Sequence, residues 1–200
     1  MKHIIINVGR QLGSGGHDIG RMLALDFQAK YYDRELLNLA AKESGLSEKI
    51  FEQNDEKKGF FRGLLNLGSP HVNSDGGYKS RFSQETLFQF QSDAIVKAAK
   101  EGSCVFVGRC ADYVLRDFGN TVNVFITASL PHRVERIMTK QHLTEEEALK
   151  VIKGIDKARE TYIQRFAGVS RYDVRNYHLA LCADGHTEEQ LAQQILSYIG

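Results

Sequence analysis

The feature that most restricts the fold is a strand that runs through a glycine-rich turn into a helix. Residues 3–8 form a β-branched run, which is typical of a strand covered on both faces at the centre of a parallel sheet. Residues 9–16, here called the glycine loop, follow directly and contain four glycines. Apolar residues then recur at helical spacing: Ile19, Met22, Leu23 and Phe27. Strand, loop and helix therefore follow one another without a break.

The rest of the chain alternates apolar strands with amphipathic helices. Further strands are predicted at residues 29–32, 104–107, 122–126 and 177–182. Helices are predicted at residues 35–43, 47–53, 83–101, 130–141, 144–166 and 187–199. This alternation predicts an α/β fold: a five-stranded parallel sheet with helices on both faces and the first strand at its centre. Ligands bind at the carboxyl ends of the strands in such a sheet, so we expect the glycine loop at the functional edge.

Length and composition fit a single domain, residues 1–200. A hydrophobic content of 42% in 200 residues supplies one full core. The periodicity fails between residues 55 and 79, where repeated glycines and a proline interrupt a stretch that still holds apolar side chains. Residues 55–79 are therefore predicted to be a mobile insertion.

Charge and cysteine usage argue against several classes of partner. The 26 Lys and Arg residues balance 25 Asp and Glu residues, so no bulk field favours a nucleic acid or an anionic membrane. The apolar runs are too short for a signal peptide or a membrane span. The three cysteines are scattered, without the spacing of a zinc site, and they fit a reduced, cytoplasmic location.

The glycine loop favours phosphate as a ligand. Its backbone N–H groups can point inward, and the N-terminus of the following helix adds a potential that favours an anion. The alternative is that the glycines only make a tight connection, although four in eight residues exceed what such a connection needs. The loop also fits Gly-x-x-x-Gly-x-Gly, the fingerprint of short-chain dehydrogenases, with Asp33 as the ribose-binding acid. That alternative lacks a catalytic Tyr-x-x-x-Lys pair, because none of the eight tyrosines has a lysine four residues later.

Several segments resemble, in order, the sequence blocks of the cytidylate-kinase-like family. They are residues 10–16 with Ile19, residues 31–36, residues 107–113, residues 156–159 with Tyr162, and residues 176–179. The resemblance implies a P-loop nucleoside-monophosphate-kinase fold and ATP-dependent phosphoryl transfer. It also implies that Mg²⁺ bridges the phosphates of ATP and that a nucleoside monophosphate, CMP or dCMP, is the acceptor.

Three functional groups that are typical of this family are replaced in this chain. Where a bacterial cytidylate kinase has Gly-Ser-Gly-Lys-Gly-Thr, this chain has Gly13-Ser14-Gly15-Gly16-His17-Asp18. Gly16 thus replaces the Walker lysine, Asp18 replaces the magnesium-binding hydroxyl, and Val107 replaces an acid that precedes Gly-Arg. The loss of these groups leaves a non-catalytic nucleotide sensor as an alternative function, because phosphoryl transfer depends on cations that neutralise developing charge. Arg10 is the nearest cation that can replace the lysine.

The resemblance and the loop pattern assign roles to individual residues. The predicted nucleotide-binding residues are Gly13, Ser14, Gly15, Gly16, His17 and Asp18, the last also as a metal ligand. The predicted acceptor-binding residues are Asp33, Arg81 and Arg109, with residues 55–79 as a cover. The predicted catalytic residues are Arg10, Arg136, Lys157 and Arg159, three of them in a lid-like helical region at residues 133–175. The alternatives are helix capping for Asp33 and surface charges for Arg81 and Arg109.

Overall fold

The computed structural model describes residues 3–34 and 84–200. The strands in these ranges are β1 (Ile5–Arg10), β2 (Lys30–Tyr32), β3 (Cys104–Val107), β4 (Thr121–Thr127) and β5 (Leu179–Cys182). The helices are α1 (Gly16–Asp26), α2 (Gln84–Glu101), α3 (Ala111–Val114), α4 (Leu130–Gln141), α5 (Glu145–Ala167) and α6 (Glu188–Ile199), with a 3₁₀ turn at Val174–Asn176. The helices predicted at 35–43 and 47–53, the insertion predicted at 55–79, and Arg81 lie outside the described residues.

The five strands form one parallel sheet in the order β2-β3-β1-β4-β5. Strand β1 is central: Val8 pairs with Val107 of β3 on one side and with Val124 of β4 on the other. The predicted fold class and the central position of the first strand are therefore confirmed. The order argues against the dehydrogenase alternative, because the dinucleotide-binding fold places strand two beside strand one. Here β3 lies between them.

Apolar side chains on both faces of the sheet explain why helices cover it twice. On one face, α1 and α6 pack against β1 and its neighbours through a cluster that includes Ile6, Val8, Ile19, Leu23, Leu191 and Ile195. On the other face, α2 and α3 pack through a cluster that includes Ile5, Ile95, Phe106 and Leu115. Burial of each large apolar side chain contributes about 1.5–3 kcal/mol, so these two clusters hold the carboxyl edge of the sheet in a fixed geometry.

Helices α4 and α5 form a hairpin with an apolar cluster of its own: Val134, Ile137, Ala148 and Ile152. Helix α4 is capped by Ser129, and α5 begins with a capping box of Thr144 and Glu147. Helix α5 ends at Gly168, which adopts the left-handed conformation that glycine tolerates. Both helices lie within one residue of their predicted bounds, whereas the short helix α3 was not predicted. Among the described helices, none is long and apolar enough to cross a membrane.

Candidate active site

The glycine loop joins the carboxyl end of β1 to the first turn of α1, as the sequence predicts. Gly13 and Gly15 have φ angles of 83° and 82°, values that side chains with a Cβ rarely adopt. Gly15 is the N-cap residue of α1, and no side chain from the described residues caps this helix. An uncapped helix N-terminus presents backbone N–H groups and a positive potential, which suits a phosphate.

Hydrogen bonds from β4 fix the first half of the glycine loop. The Gln11 backbone N–H donates to the Ile126 carbonyl at 3.0 Å. The Gln11 side-chain oxygen accepts from the Thr127 hydroxyl at 2.5 Å and from the Ala128 N–H at 3.2 Å. The Ser14 hydroxyl donates back to the Gln11 carbonyl at 3.0 Å, and Ser14 is only 1% exposed. The side chain of the predicted nucleotide-binding residue Ser14 therefore shapes the loop.

The buried ion pair of Asp156 and Arg133 fixes the backbone of Leu12, the next residue of the loop. The Asp156 carboxylate accepts from the Leu12 N–H at 3.0 Å and from the Arg133 guanidinium at 2.7 Å. Arg133 also donates to the Leu12 carbonyl at 3.4 Å. A Cβ at Gly13 would lie 2.8 Å from the Arg133 carbonyl oxygen, so the loop fits against α4 only with glycine there. Helices α4 and α5 thus set the shape of the loop.

The side chain of Arg10 lies in a slot between two glycines. A Cβ at Gly16 would lie 2.6 Å from the Arg10 Cβ, so the stem of Arg10 occupies the space where a side chain at position 16 would begin. A Cβ at Gly108 would overlap the Arg10 Nη1 atom. The guanidinium therefore lies against the turn that follows β3. A lysine at position 16 and an arginine at position 10 exclude one another in this geometry.

Three arginines converge around Arg10: Arg109, Arg159 and Arg171. Arg159 donates to the Arg10 carbonyl at 3.4 Å, and Arg171 donates to the same oxygen. Burial, together with the charges of Arg159, Arg171 and Arg109, holds the pKa of Arg10 well below its usual value. Burial and the charge of Arg171 lower the pKa of Arg159 to about 10. The Asp156 carboxylate is already paired with Arg133 and lies 3.8 Å from Arg159 and 3.7 Å from Arg171. One carboxylate cannot neutralise all these charges, so the cluster suits an anion of several charges.

The backbone after β3 is strained. Gly108, Arg109 and Cys110 have φ angles of 81°, 61° and 54°, so three consecutive residues are left-handed and two of them are not glycine. Such residues cost energy and cluster at ligand sites, where the surroundings hold them in place. From this turn the predicted acceptor residue Arg109 reaches α5, where its guanidinium lies 5.0 Å from the centre of the Tyr162 ring.

The predicted metal ligand Asp18 lies in an ion-pair network instead. One of its carboxylate oxygens accepts from Arg136 at 2.8 Å and from Lys140 at 2.7 Å. Although burial alone would raise it, the hydrogen bonds from Lys140 and Arg136 lower the pKa of Asp18. Arg136 also pairs with Glu188, which borders Gly15. In the described part of the chain, no group of three or more His, Cys, Asp or Glu side chains could hold a metal ion.

The other predicted residues divide between the site and the surface. Asp33 follows β2, and its carboxylate is 3.3 Å from the His17 ring, so this contact links α1 to the end of β2. Of the four predicted catalytic residues, the structure brings Arg10 and Arg159 together. Arg136 belongs to the Asp18 network, and Lys157 is exposed on α5 outside the arginine cluster.

Sequence reasoning did not identify Arg171, although it is the most buried member of the arginine cluster. It is 2% exposed, and its guanidinium carbon lies 5.7 Å from the Phe125 ring centre and 5.3 Å from that of Tyr172. Its Nε and Nη1 atoms have no hydrogen-bond partner among the described residues. The residue follows α5 in a polar turn, where an arginine is usually a surface charge, so no local pattern distinguishes it.

Comparisons with known proteins agree with this fold. The model of the cytidylate kinase-like family matches residues 5–184. A search of curated protein sequences found no significant match. The chain is similar to the crystal structure of an uncharacterized protein from Eubacterium ventriosum, with 25% identity, 98% of each chain covered and a TM-score of 0.73. It is also similar to shikimate kinase from Bacteroides thetaiotaomicron, with 12% identity, 99% of each chain covered and a TM-score of 0.52. A third similar structure is shikimate kinase from Acinetobacter baumannii in complex with shikimate, with 15% identity, 98% of this chain and 92% of that chain covered, and a TM-score of 0.51.

The family match supports a kinase of nucleotides or other small molecules, and the two shikimate kinases show the fold. Because the family match spans most of the sequence, the chain belongs to the cytidylate kinase-like family.

Proposed function

We propose that this protein transfers the γ-phosphoryl group of ATP to a nucleoside monophosphate, CMP or dCMP. The observation that carries the proposal is the path of the Arg10 side chain. Its backbone lies at the start of the glycine loop, its stem fills the space beside Gly16, and its guanidinium lies against Gly108. One cation therefore spans the distance between the phosphate-binding loop and the turn that carries Arg109.

The charge of the arginine cluster suits this reaction. Phosphoryl transfer requires little covalent chemistry from the protein, and its rate depends on positioning and on cations that neutralise the developing charge. Donor and acceptor phosphates meet with repulsion, which several fixed guanidinium groups can offset. Arg10, Arg109, Arg159 and Arg171 lie together at the carboxyl edge of the sheet and carry that charge.

Each element of the site then has a role. The backbone N–H groups of the glycine loop hold the phosphates of ATP, and Arg10 replaces the Walker lysine. Asp33 and Arg109 bind the acceptor, and Arg159 acts on the transferred group. The network of Asp18 with Arg136 and Lys140 does not fit a magnesium ligand, so Mg²⁺ enters as part of the MgATP substrate. Residues 55–79 and 133–175 remain our candidates for the parts that close over the substrates, and a cytoplasmic location remains a prediction.

A coupled assay of ADP release tests the proposal. The protein is mixed with ATP and each of several nucleoside monophosphates, with and without Mg²⁺. We expect turnover with CMP or dCMP that depends on Mg²⁺. When ATP carries a radiolabel in its γ-phosphate, the label should appear in the corresponding nucleoside diphosphate. Release of ADP at the same rate with and without an acceptor would show ATP hydrolysis instead.

The second candidate is a non-catalytic nucleotide sensor. It is favoured by Gly16 in the place of the lysine and by Asp18, whose carboxylate is already taken by two cations. Both functions predict nucleotide binding, and only the kinase predicts turnover. Tight ATP binding without turnover on any monophosphate would favour the sensor.

A further inference from the structure

Tyr162 of α5 connects Arg109 to two other elements of the fold. The Arg109 guanidinium lies over its ring, 5.0 Å from the centre. The Tyr162 hydroxyl donates to the side-chain oxygen of Gln91 on α2 at 3.0 Å, and Gln91 is 1% exposed. The ring also packs against Phe166 at 4.8 Å and Phe88 at 6.2 Å between ring centres. These contacts fix the position of the Tyr162 side chain, and the face of its ring lies toward Arg109.

A fixed ring restricts the position of the arginine. The Arg109 side chain has several rotatable bonds, and its free rotamers would have to be restrained each time a ligand binds. A cation over an aromatic face is attracted by the ring, and the planar guanidinium also stacks on it. Arg109 also starts from a left-handed backbone that its surroundings hold in place, so both its backbone and its guanidinium are restricted.

We propose that Tyr162 is a positioning residue that holds Arg109 ready for the phosphate of the acceptor. This inference rests on the proposed function, because it takes Arg109 as the acceptor-binding cation. Tyr162 itself touches neither substrate and acts through Arg109. The ring matters for acceptor binding, and the hydroxyl matters for stability, because its loss leaves the buried Gln91 side chain without that partner.

The competing explanation is that Tyr162 only packs α5 against α2. Other contacts join these helices, among them the stacked rings of Phe88 and Phe166, 4.2 Å apart, and the ion pair of Arg165 with Glu85. If docking of α5 were the only role, weakening such a contact would also weaken acceptor binding.

Three variants of the full chain separate these explanations. Tyr162→Phe keeps the ring and removes the hydroxyl, and Tyr162→Leu removes the ring. Glu85→Gln is the matched control, because it weakens the junction of α2 and α5 and leaves Arg109 and Tyr162 in contact. The dissociation constant for CMP is measured by calorimetry without ATP, KM values for CMP and ATP by the coupled assay, and stability by urea unfolding.

We expect Tyr162→Leu to weaken CMP binding and raise KM for CMP about tenfold, the range of a partly buried cation–π contact, with KM for ATP within about twofold. Tyr162→Phe should unfold at lower urea and bind CMP within about threefold of the parent. Glu85→Gln should bind CMP like the parent. Equal CMP binding by the Leu variant and the parent, or equal loss in the Leu and Glu85→Gln variants, would overturn the inference.

A double-mutant cycle tests whether the Tyr162 ring acts through Arg109. Arg109→Lys keeps a positive charge and loses the planar group, so Tyr162→Leu should cost little further CMP affinity in that background. Additive losses would overturn the positioning role. A parent that binds CMP without turnover would refute the kinase proposal, and the CMP dissociation constants would still decide the role of Tyr162. A parent that does not bind CMP would refute both.

Discussion

Replacement of Arg10 by alanine should slow catalysis without weakening the fold. The Arg10 stem occupies the space where a side chain at position 16 would begin, and Arg10 lies among the charges of Arg159, Arg171 and Arg109. Loss of one preorganised group that acts mainly in the transition state costs on the order of 3 kcal/mol, or roughly a hundredfold in kcat. The Michaelis constant for ATP should change only modestly, because a group that acts mainly in the transition state contributes little to ground-state binding.

The fold should tolerate this change. Burial and the neighbouring arginines hold the pKa of Arg10 well below its usual value, so the folded protein disfavours the charge that Arg10 carries at neutral pH. Removing a cation of this kind relieves repulsion, and we expect the urea midpoint of Arg10→Ala to be no lower than that of the parent. Arg10→Lys should recover part of the rate.

Exchange of the two loop positions provides a sharper test. Gly16→Lys alone should fail to fold normally or to turn over, because its Cβ would lie 2.6 Å from the Arg10 Cβ. The double variant Arg10→Gly with Gly16→Lys clears this space and should recover turnover above that of Arg10→Ala. Arg10→Ala with Gly16→Lys keeps the conflicting Cβ and is the matched control.

Steady-state kinetics with ATP and CMP measures these rates. Turnover of Arg10→Ala equal to that of the parent would refute the role of Arg10 and direct the search to Arg159 and Arg171. Equal turnover in the two double variants would show that the Cβ contact does not decide which residue supplies the cation.

Other predictions concern stability and reactivity. Asp156→Ala should lower the free energy of unfolding by about 3–5 kcal/mol in urea titrations, because it leaves a buried arginine unpaired. Asp18→Asn should destabilise the protein at pH 7, and this difference should disappear as the pH falls below about 3.8, since the folded-state pKa of Asp18 lies below that usual value; a constant difference from pH 7 to pH 2 would contradict the pairing. At pH 8, iodoacetamide should modify the exposed Cys182 in the native protein, as mass spectrometry can show. Cys104 and Cys110 should stay unmodified until the protein unfolds, because burial raises their pKa values to about 11 and about 12.

Much of the fold could be predicted from the sequence, because the local sequence signals agree with the residues that the fold buries. Strand β3 consists of four buried apolar residues between Gly102 and Gly108, and its predicted bounds match the structure. Helix α5 carries a capping box at its start and a glycine at its end, which are local signals with a physical cause. The short helix α3 has no such signals, since it follows two left-handed residues that are not glycine.

The candidate site was predictable only in part, because its contacts join residues that are distant in the sequence. Arg10 and Arg159 could be proposed from the sequence, yet their convergence depends on a contact across 149 residues. The position of Arg136 could not be predicted from the sequence. Its guanidinium contacts Asp18, which is 118 residues away along the chain, and the carboxylate compensates its charge. Arg171 lies in an irregular turn, where neither helical nor strand periodicity marks a residue as buried.

The contacts of Gly16 bear on whether the altered loop belongs to a kinase or to a sensor. A loop that had simply lost its lysine would leave a space beside the helix N-terminus, and a sensor would tolerate that space. Here the stem of Arg10 fills it, and a second glycine, Gly108, admits the guanidinium. The absence of a side chain at position 16 and the presence of a cation at position 10 are therefore one structural arrangement. Because Arg10 supplies a cation from the same loop, and because that cation lies among three further arginines, the arrangement favours the proposed kinase function over the sensor.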